Sequence, residues 1–344
     1  MRLSTLLPSG PADPGVSAAY VADLERAGLD MVWVAEPYGF DAPTMLGFLA
    51  ARTRTVQLAA GILPIYSRTP ALTAMTAAGL DRLSGGRAVL GLGASGPQVI
   101  EGWHGVPYDH PVGRTREVID ICRQVWRRER VEYDGTYYQI PVPAGAGTGL
   151  GKPLKLIGEP VRPDIPIYVA ALGAKNVELA AETAQGWLPL FFAPTRAGEV
   201  WGPALKAGMA RRPPQLGELQ ICAGGIAAVG EGAASLRDLA RPQLALYLGG
   251  MGAKRQNFYN ELFRRYGYER EAARIQELFL AGQRREAEAA IPAAFLDEIT
   301  LCGPASYISE RIAAYREAGV TVLNVEPVGR DPSAVTVARL KSLL

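Results

Sequence analysis

Eight short apolar segments alternate with segments of helical periodicity along most of this chain. Segments such as MVWVA (31–35) and AVLGL (88–92) are continuously apolar, which is typical of strands buried on both faces. Strands that alternate with helices form parallel sheets, because each helix returns the chain to the same edge. The alternation predicts an α/β fold, a (β/α)8 TIM barrel, with strands over 3–7, 31–35, 56–63, 87–92, 167–171, 186–191, 219–229 and 322–325.

Three segments interrupt this alternation, namely 131–165, 192–217 and 231–296. The first contains VEYDGTYYQI, which predicts a short hairpin that turns at Asp134-Gly135. The second contains four prolines and predicts a loop with one helical turn, and the third predicts a helical block. We expect a single domain, 1–344, whose inserts shape the carboxyl end of the barrel, where such barrels carry their chemistry.

Charge and composition limit the partners of the chain. The net charge is +2, so no strong field attracts nucleic acid or an anionic membrane. Three distant cysteines form no metal or disulfide pattern and predict buried free thiols. No apolar run approaches the roughly 20 residues of a membrane-spanning helix, and the amino terminus lacks the pattern of a signal peptide. A cytoplasmic protein with a small-molecule substrate is therefore expected.

A glycine-rich turn follows the fourth predicted strand. The spacing Gly91-x-Gly93-x-x-Gly96 matches the dinucleotide fingerprint and permits close approach of a flat or anionic group. A dinucleotide fold, however, needs this motif in its first strand–helix unit and an acidic strand end about 20 residues later. Glu117, at that distance, lies in a helical segment. The context therefore disfavours a dinucleotide site.

Two histidines, His104 and His110, lack the accompanying residues of a metal site, and no metal is predicted. His104 is kept as a catalytic candidate, although a hydrogen-bonded turn histidine beside Trp103 is the more ordinary explanation. Tyr38, Tyr66 and Ser67 are further candidates for orienting a substrate.

Several long motifs resemble those of the bacterial-luciferase-like superfamily of flavin and deazaflavin oxidoreductases. Within it, the chain is most similar to the actinobacterial oxidoreductases that depend on coenzyme F420, a deazaflavin. The resemblance covers nearly the whole chain and is carried by MVWVAEPYGF (31–40), LSGGRAVLGLGASGPQVIEGWHG (83–105), IYVAALGAKNVELAAETAQGW (167–187) and LGGMGAKRQNFYNELF (248–263).

The resemblance implies a cofactor site at the barrel mouth. It implies a bulge with a non-proline cis peptide bond between Gly61 and Ile62 that presses against the back of the deazaflavin ring. It further implies that the helix after the fifth strand binds the cofactor phosphate through its free N–H groups. The cofactor-binding residues expected on these grounds are Glu36, Gly61, Ile62, Leu63, Gly93, Ala94, Ser95, Gly96, Gly173, Ala174, Lys175 and Leu190.

Glu36 closes the second strand, and the resemblance places it beside the ring edge or the substrate. The alternative is a cap on the next helix, for which Asp41 is the better candidate. Sugar-phosphate relatives carry a His and a Glu where this chain has Pro37 and Ala94, so that substrate class is not expected. Glu36, Tyr38 and His104 all stay open as the proton source.

The expected activity is hydride transfer between coenzyme F420 and a hydrophobic or ring-containing organic substrate. Two alternatives share the fold: an FMN-dependent monooxygenase, and a deazaflavin-binding protein without catalysis. Relatives are usually dimers, so a homodimer is expected.

Overall fold

Parallel strands close into a barrel at the centre of the molecule, which confirms the predicted fold class. The computed structural model describes residues 1–8, 13–252 and 257–344. Its strands are β1 (Arg2–Leu6), β2 (Met31–Val34), β3 (Gln57–Ala60), β4 (Leu63–Pro64), β5 (Ala88–Gly93), β6 (Tyr133–Asp134), β7 (Gln139–Ile140), β8 (Ile167–Ala170), β9 (Gly186–Leu188), β10 (Gln220–Val229), β11 (Leu301–Gly303) and β12 (Val320–Pro327). Eight of these strands form the barrel in the order β1-β2-β3-β5-β8-β9-β10-β12, and the pairing of β12 with β1 closes it.

Helices surround the barrel. They are α1 (Pro14–Arg26), α2 (Ala42–Arg52), α3 (Pro70–Ser84), α4 (Pro97–Gly102), α5 (Pro111–Trp126), α6 (Ala174–Thr183), α7 (Pro194–Met209), α8 (Arg241–Gly250), α9 (Phe258–Arg265), α10 (Glu269–Leu280), α11 (Arg284–Ala289), α12 (Ala293–Ile299), α13 (Ala305–Glu317) and α14 (Ser333–Leu343). Short 3-10 turns cover Ala144–Ala146, Pro214–Leu216 and Ala233–Ala240. Proline stands in the first turn of several helices, where the missing N–H is not needed.

The predicted inserts have mixed outcomes. β6 and β7 pair antiparallel, which confirms the hairpin, but Asp134 pairs with Gln139 inside it, so the turn covers residues 135–138 and not Asp134-Gly135. The loop predicted over 192–217 is wrong, because α7 covers 16 of those residues. Pro194 begins this helix, and Pro203 is tolerated inside it because the apolar face that includes Trp201 is buried. The third insert contains helices as predicted, although its residues 253–256 lie outside the described residues.

The interior of the barrel is packed with side chains. Its amino-terminal end is closed by a polar cluster, in which Arg2 donates to Gln57 Oε1 at 2.7 Å and to the Tyr168 hydroxyl at 2.9 Å. Chemistry is thereby confined to the carboxyl end of the strands. All three cysteines are buried free thiols, as predicted. The inward-pointing core consists of Met31, Trp33, Ala59, Val89, Tyr168, Cys222 and Val322.

Residues 1–8, 13–252 and 257–344 offer neither a membrane-spanning helix nor a cluster of metal ligands. No helix among them is both long and apolar enough to cross a membrane. The same residues contain no group of three or more His, Cys, Asp or Glu side chains placed to hold a metal ion.

Candidate active site

The end of β3 forms a bulge at the barrel mouth. The peptide bond between Gly61 and Ile62 is cis, as the resemblance predicted. A Cβ atom at position 61 would lie 3.1 Å from the Cβ of Trp33, so this position faces the barrel interior. A side chain at position 61 would therefore press on Trp33 in the core of the barrel.

The glycines of β5, the fourth strand of the barrel, accommodate that bulge. A Cβ atom at Gly91 would lie 1.9 Å from the carbonyl oxygen of Ala60, and one at Gly93 would lie 3.0 Å from Cγ1 of Ile62. These two glycines therefore admit the neighbouring strand end and its side chain. This packing role accounts for two of the three glycines in the dinucleotide-like spacing, whereas a Cβ atom at Gly96 would make only an ordinary contact with Gln98.

Beyond β5, the chain turns sharply. Ser95 is exposed with φ of 58°, and Gly96 begins the short helix α4. The Ser95 carbonyl accepts a bond from the Tyr108 hydroxyl at 3.4 Å, so its side-chain hydroxyl is left at the surface of the mouth. Ala94 is half-buried.

Glu36 lies at the mouth and is already bound on both oxygens. Arg68 contacts it in a bidentate pair, with Nη2 2.8 Å from Oε2, and the side chains are only 13% and 8% exposed. Oε2 also accepts the Ala42 N–H at 2.9 Å, while Asp41 caps the same helix through Thr44. Glu36 thus fixes the loop before α2, which leaves it poorly placed to act as a proton source.

The amino terminus of α6 opens to solvent. Gly173 caps it without a side-chain hydrogen bond, and a Cβ atom there would meet nothing within 4 Å. The Ala174 and Lys175 N–H groups have no acceptor in the part of the chain that the structure describes. The Lys175 ammonium is 80% exposed and lies 3.2 Å from Glu178. The backbone, rather than this lysine, makes the position suitable for an anion.

The strand end after β9 presents an aromatic residue. Leu190 is half-buried against the main core, and Phe191 has φ of 53°. Its backbone is held by Tyr266, whose hydroxyl donates to the Phe191 carbonyl at 3.0 Å and accepts the Ala193 N–H at 3.2 Å. Leu63, at the bulge, is buried in the core and cannot touch a ligand in this arrangement.

The remaining candidate side chains differ in whether hydrogen bonds within the protein already occupy them. The Tyr66 hydroxyl donates to the Asp109 carbonyl at 2.6 Å, and Ser67 donates to Pro64 at 3.0 Å, so neither hydroxyl proton is free. Tyr38 is 61% exposed. His104 is half-buried, and within the described ranges its imidazole makes no hydrogen bond.

Sequence reasoning missed three side chains at the mouth. Arg68 pairs with Glu36, but nothing in the sequence indicates this role except that Arg68 follows the candidate Ser67. Tyr247 and Tyr259 lie on α8 and α9 of the third insert, and pack against Phe191 at ring-centre distances of 5.3 and 6.2 Å. Their position becomes visible only when the fold brings the third insert back to the mouth.

Comparison with known proteins places this barrel in a family. The model of the luciferase-like monooxygenase family matches residues 1–322. The chain belongs to this family. One relative in Mycobacterium tuberculosis, provisionally named a coenzyme F420-dependent oxidoreductase, is 42% identical over 92% of both chains. A 5,10-methylenetetrahydromethanopterin reductase of Archaeoglobus fulgidus is 30% identical over 91% of this chain and 90% of its own.

Solved structures of the luciferase-like family share the fold. The coenzyme F420-dependent tetrahydromethanopterin reductase of Methanopyrus kandleri superposes with a TM-score of 0.80 at 21% identity, covering 98% of this chain and 96% of its own. An F420-dependent secondary alcohol dehydrogenase, solved with an F420-acetone adduct, superposes with a TM-score of 0.74 at 16% identity. The match covers 100% of this chain and 98% of the dehydrogenase chain. At these identities the likeness concerns the barrel and its inserts.

Proposed function

We propose that this protein is a coenzyme F420-dependent oxidoreductase that exchanges hydride with a neutral organic substrate. Support comes from the relative at 42% identity, which is provisionally named a coenzyme F420-dependent oxidoreductase, and from the 5,10-methylenetetrahydromethanopterin reductase at 30% identity. The single structural observation that carries the proposal is the open amino terminus of α6, beside a mouth that contains the Gly61–Ile62 bulge.

The residues present fit the cofactor. The unpartnered N–H groups at Ala174 and Lys175 suit its phosphodiester, because a helix amino terminus carries partial positive charge. Ile62 and the turn at Ser95 would border its ring. When bound, the deazaflavin supplies a hydride-carrying carbon; the protein orients it and excludes water.

The charges at the mouth favour a substrate without net charge. Arg68 is paired with Glu36, and Arg114 is paired with Asp109 at 2.8 Å. An anionic substrate would have to displace one of these carboxylates to gain an arginine. Aromatic pairs at the mouth, Tyr66 with Tyr108 and Phe191 with Tyr247, favour a hydrophobic or ring-containing substrate.

Binding of the cofactor tests this proposal directly. F420 should quench or shift its fluorescence on titration with the protein, and should bind more tightly than FMN. A Gly173→Asp variant should keep the fold, since Asp is a good helix cap and a Cβ there meets nothing. Its carboxylate would occupy the N–H groups and repel phosphate, which should lower F420 affinity by at least about tenfold, or about 1.4 kcal/mol.

Gly173→Ala is the matched control and should retain F420 affinity. Failure of the wild-type protein to bind F420 would reject the proposed function. FMN binding as tight as F420 binding would favour a monooxygenase instead. Equal F420 affinities for the Ala and Asp variants would place the phosphate elsewhere.

A further inference from the structure

Three aromatic rings from distant parts of the chain meet at the mouth. Phe191, just beyond β9, packs edge-on against Tyr247 of α8 at 5.3 Å and Tyr259 of α9 at 6.2 Å. The two tyrosine rings lie 4.7 Å apart at 82°. Edge-to-face pairs of this kind hold one another in fixed orientations. The rings therefore form a rigid aromatic wall, Phe191–Tyr247–Tyr259.

The backbone beneath this wall adopts an uncommon conformation. Phe191 has a positive φ of 53°, which few residues other than glycine adopt. The Tyr266 hydroxyl enforces it by bonding both the Phe191 carbonyl and the Ala193 N–H. Backbone conformations of this kind persist where the surroundings fix them, and they concentrate at functional sites. The position of the Phe191 ring is thus set by contacts on either side of it.

The hydroxyl groups of the wall make no hydrogen bond within the residues that the structure describes. Tyr247 and Tyr259 are half-buried, yet neither hydroxyl has a hydrogen-bond partner among residues 1–8, 13–252 and 257–344. Tyr66 and Tyr266, by contrast, both bond to backbone carbonyls. A phenol with an apolar body and an unused polar end is suited to a ligand that offers an acceptor.

Burial raises the pKa of both tyrosines of the wall. Burial and the nearby Tyr38, on the loop after β2, raise the pKa of Tyr247. Burial, Tyr247 and Tyr108 raise the pKa of Tyr259 to about 12. Both phenols stay protonated at neutral pH and can donate.

We propose that Tyr247 and Tyr259 are specificity-determining residues that select a neutral, planar ring bearing a carbonyl oxygen. The substrate ring packs against the wall, in which the half-buried tyrosines provide the accessible surface and Phe191, 9% exposed, supports them. The two phenols donate hydrogen bonds to the oxygen. This inference rests on the proposed function, since it names the substrate class for the same site. Neutrality follows from the pairing of Arg68 and Arg114 with carboxylates.

The probe pair 1-tetralone and tetralin tests this recognition, because the two molecules differ only in the carbonyl oxygen. Calorimetric titration of the full-length protein, with and without saturating F420, should give tighter binding of 1-tetralone. Tyr247→Phe and Tyr259→Phe should each weaken 1-tetralone binding by about fivefold, the effect of one neutral hydrogen bond, and leave tetralin unchanged. Phe191→Ala should weaken both probes.

Tyr20→Phe, the same substitution at a half-buried tyrosine of α1, is the matched control and should leave both probes unchanged. Failure of the wild-type protein to bind 1-tetralone, or an unchanged ratio of the two probes in both wall variants, would overturn the proposal. An equal loss in Tyr20→Phe would also overturn it.

Titration of the same variants with F420 separates the two proposals. The wall variants should keep F420 affinity within about twofold of the wild type, because the hydrogen bonds concern the substrate. Loss of F420 affinity in both would mean that the wall holds the cofactor ring, which overturns the substrate assignment. Discrimination between the probes by a protein that does not bind F420 would reject the proposed function and leave the wall assignment intact.

Discussion

The buried pair of Arg68 and Glu36 makes a prediction about stability that follows from its geometry. Arg68→Met keeps an unbranched apolar stem of similar length and removes the guanidinium. Glu36, with a side chain only 8% exposed, would then retain one bond from the Ala42 N–H and lose two charge-assisted bonds. Removing one partner of a buried pair costs about 3–5 kcal/mol, because the other charge is left uncompensated. The free energy of unfolding should fall by about that amount.

A second pair supplies the control. Arg116 and Glu182 have the same bidentate geometry, at 2.8 and 2.9 Å, but the Arg116 side chain is 42% exposed. Glu182 also keeps Arg211 as a neighbour. Arg116→Met should therefore cost no more than about 1 kcal/mol.

Urea unfolding followed by circular dichroism measures both losses. The double variant Arg68→Met/Glu36→Gln should lose less than Arg68→Met alone, since a neutral amide is cheaper to bury than an unpaired carboxylate. Losses that agree within about 0.5 kcal/mol for Arg68→Met and Arg116→Met would refute the argument from burial.

Three further predictions concern single positions. Hydrogen bonds from the Val56, Thr55 and Arg54 N–H groups outweigh the effect of burial and lower the pKa of Glu25, so the stability that Glu25 contributes is present above the ordinary carboxyl pKa and is lost as pH falls through the lowered value. Glu25→Gln should therefore destabilise the protein at pH 7 and much less near pH 3. Urea unfolding at both pH values measures this, and an equal loss of stability at the two pH values would contradict the prediction. Gly91→Ala should give misfolded or insoluble protein, because the added Cβ atom would lie 1.9 Å from the Ala60 carbonyl oxygen. A soluble variant with the wild-type melting temperature would contradict this and show that β3 and β5 can separate. Gly198 lies in the exposed part of α7 with open space around it. Gly198→Ala should therefore raise the free energy of unfolding by about 0.5–1 kcal/mol, because alanine favours a helix more than glycine does. A lower melting temperature of this variant would count against the placement of the helix.

The pattern of apolar segments was sufficient to predict the barrel. Strands such as MVWVA are apolar on both faces, and only a parallel sheet covered by helices buries both faces of a strand. The hairpin of β6 and β7 was also predictable, because its turn depends on adjacent residues. The cis bond at Gly61 came from resemblance to a family, since no local rule favours it.

Prolines misled the prediction for the segment that forms α7. Local chemistry argues for a loop there, yet burial of Trp201 and its neighbours against the barrel stabilises a helix of 16 residues. Tertiary packing decided that segment, because its gain in buried apolar surface exceeds the local cost of one internal proline.

The sequence predicts a candidate site at the barrel mouth, but it does not predict the contacts among the side chains there. The alternation of strands and helices is enough to bring the polar and glycine-rich strand ends to one rim, because parallel strands carry their carboxyl ends to the same edge. Long-range packing is needed to show that Gly91 makes room for the Ala60 carbonyl, that Arg68 binds Glu36, and that Tyr247 and Tyr259 contact Phe191. Each of these contacts joins residues about 30 to 70 positions apart, and no periodicity within one segment encodes which distant side chain will meet it.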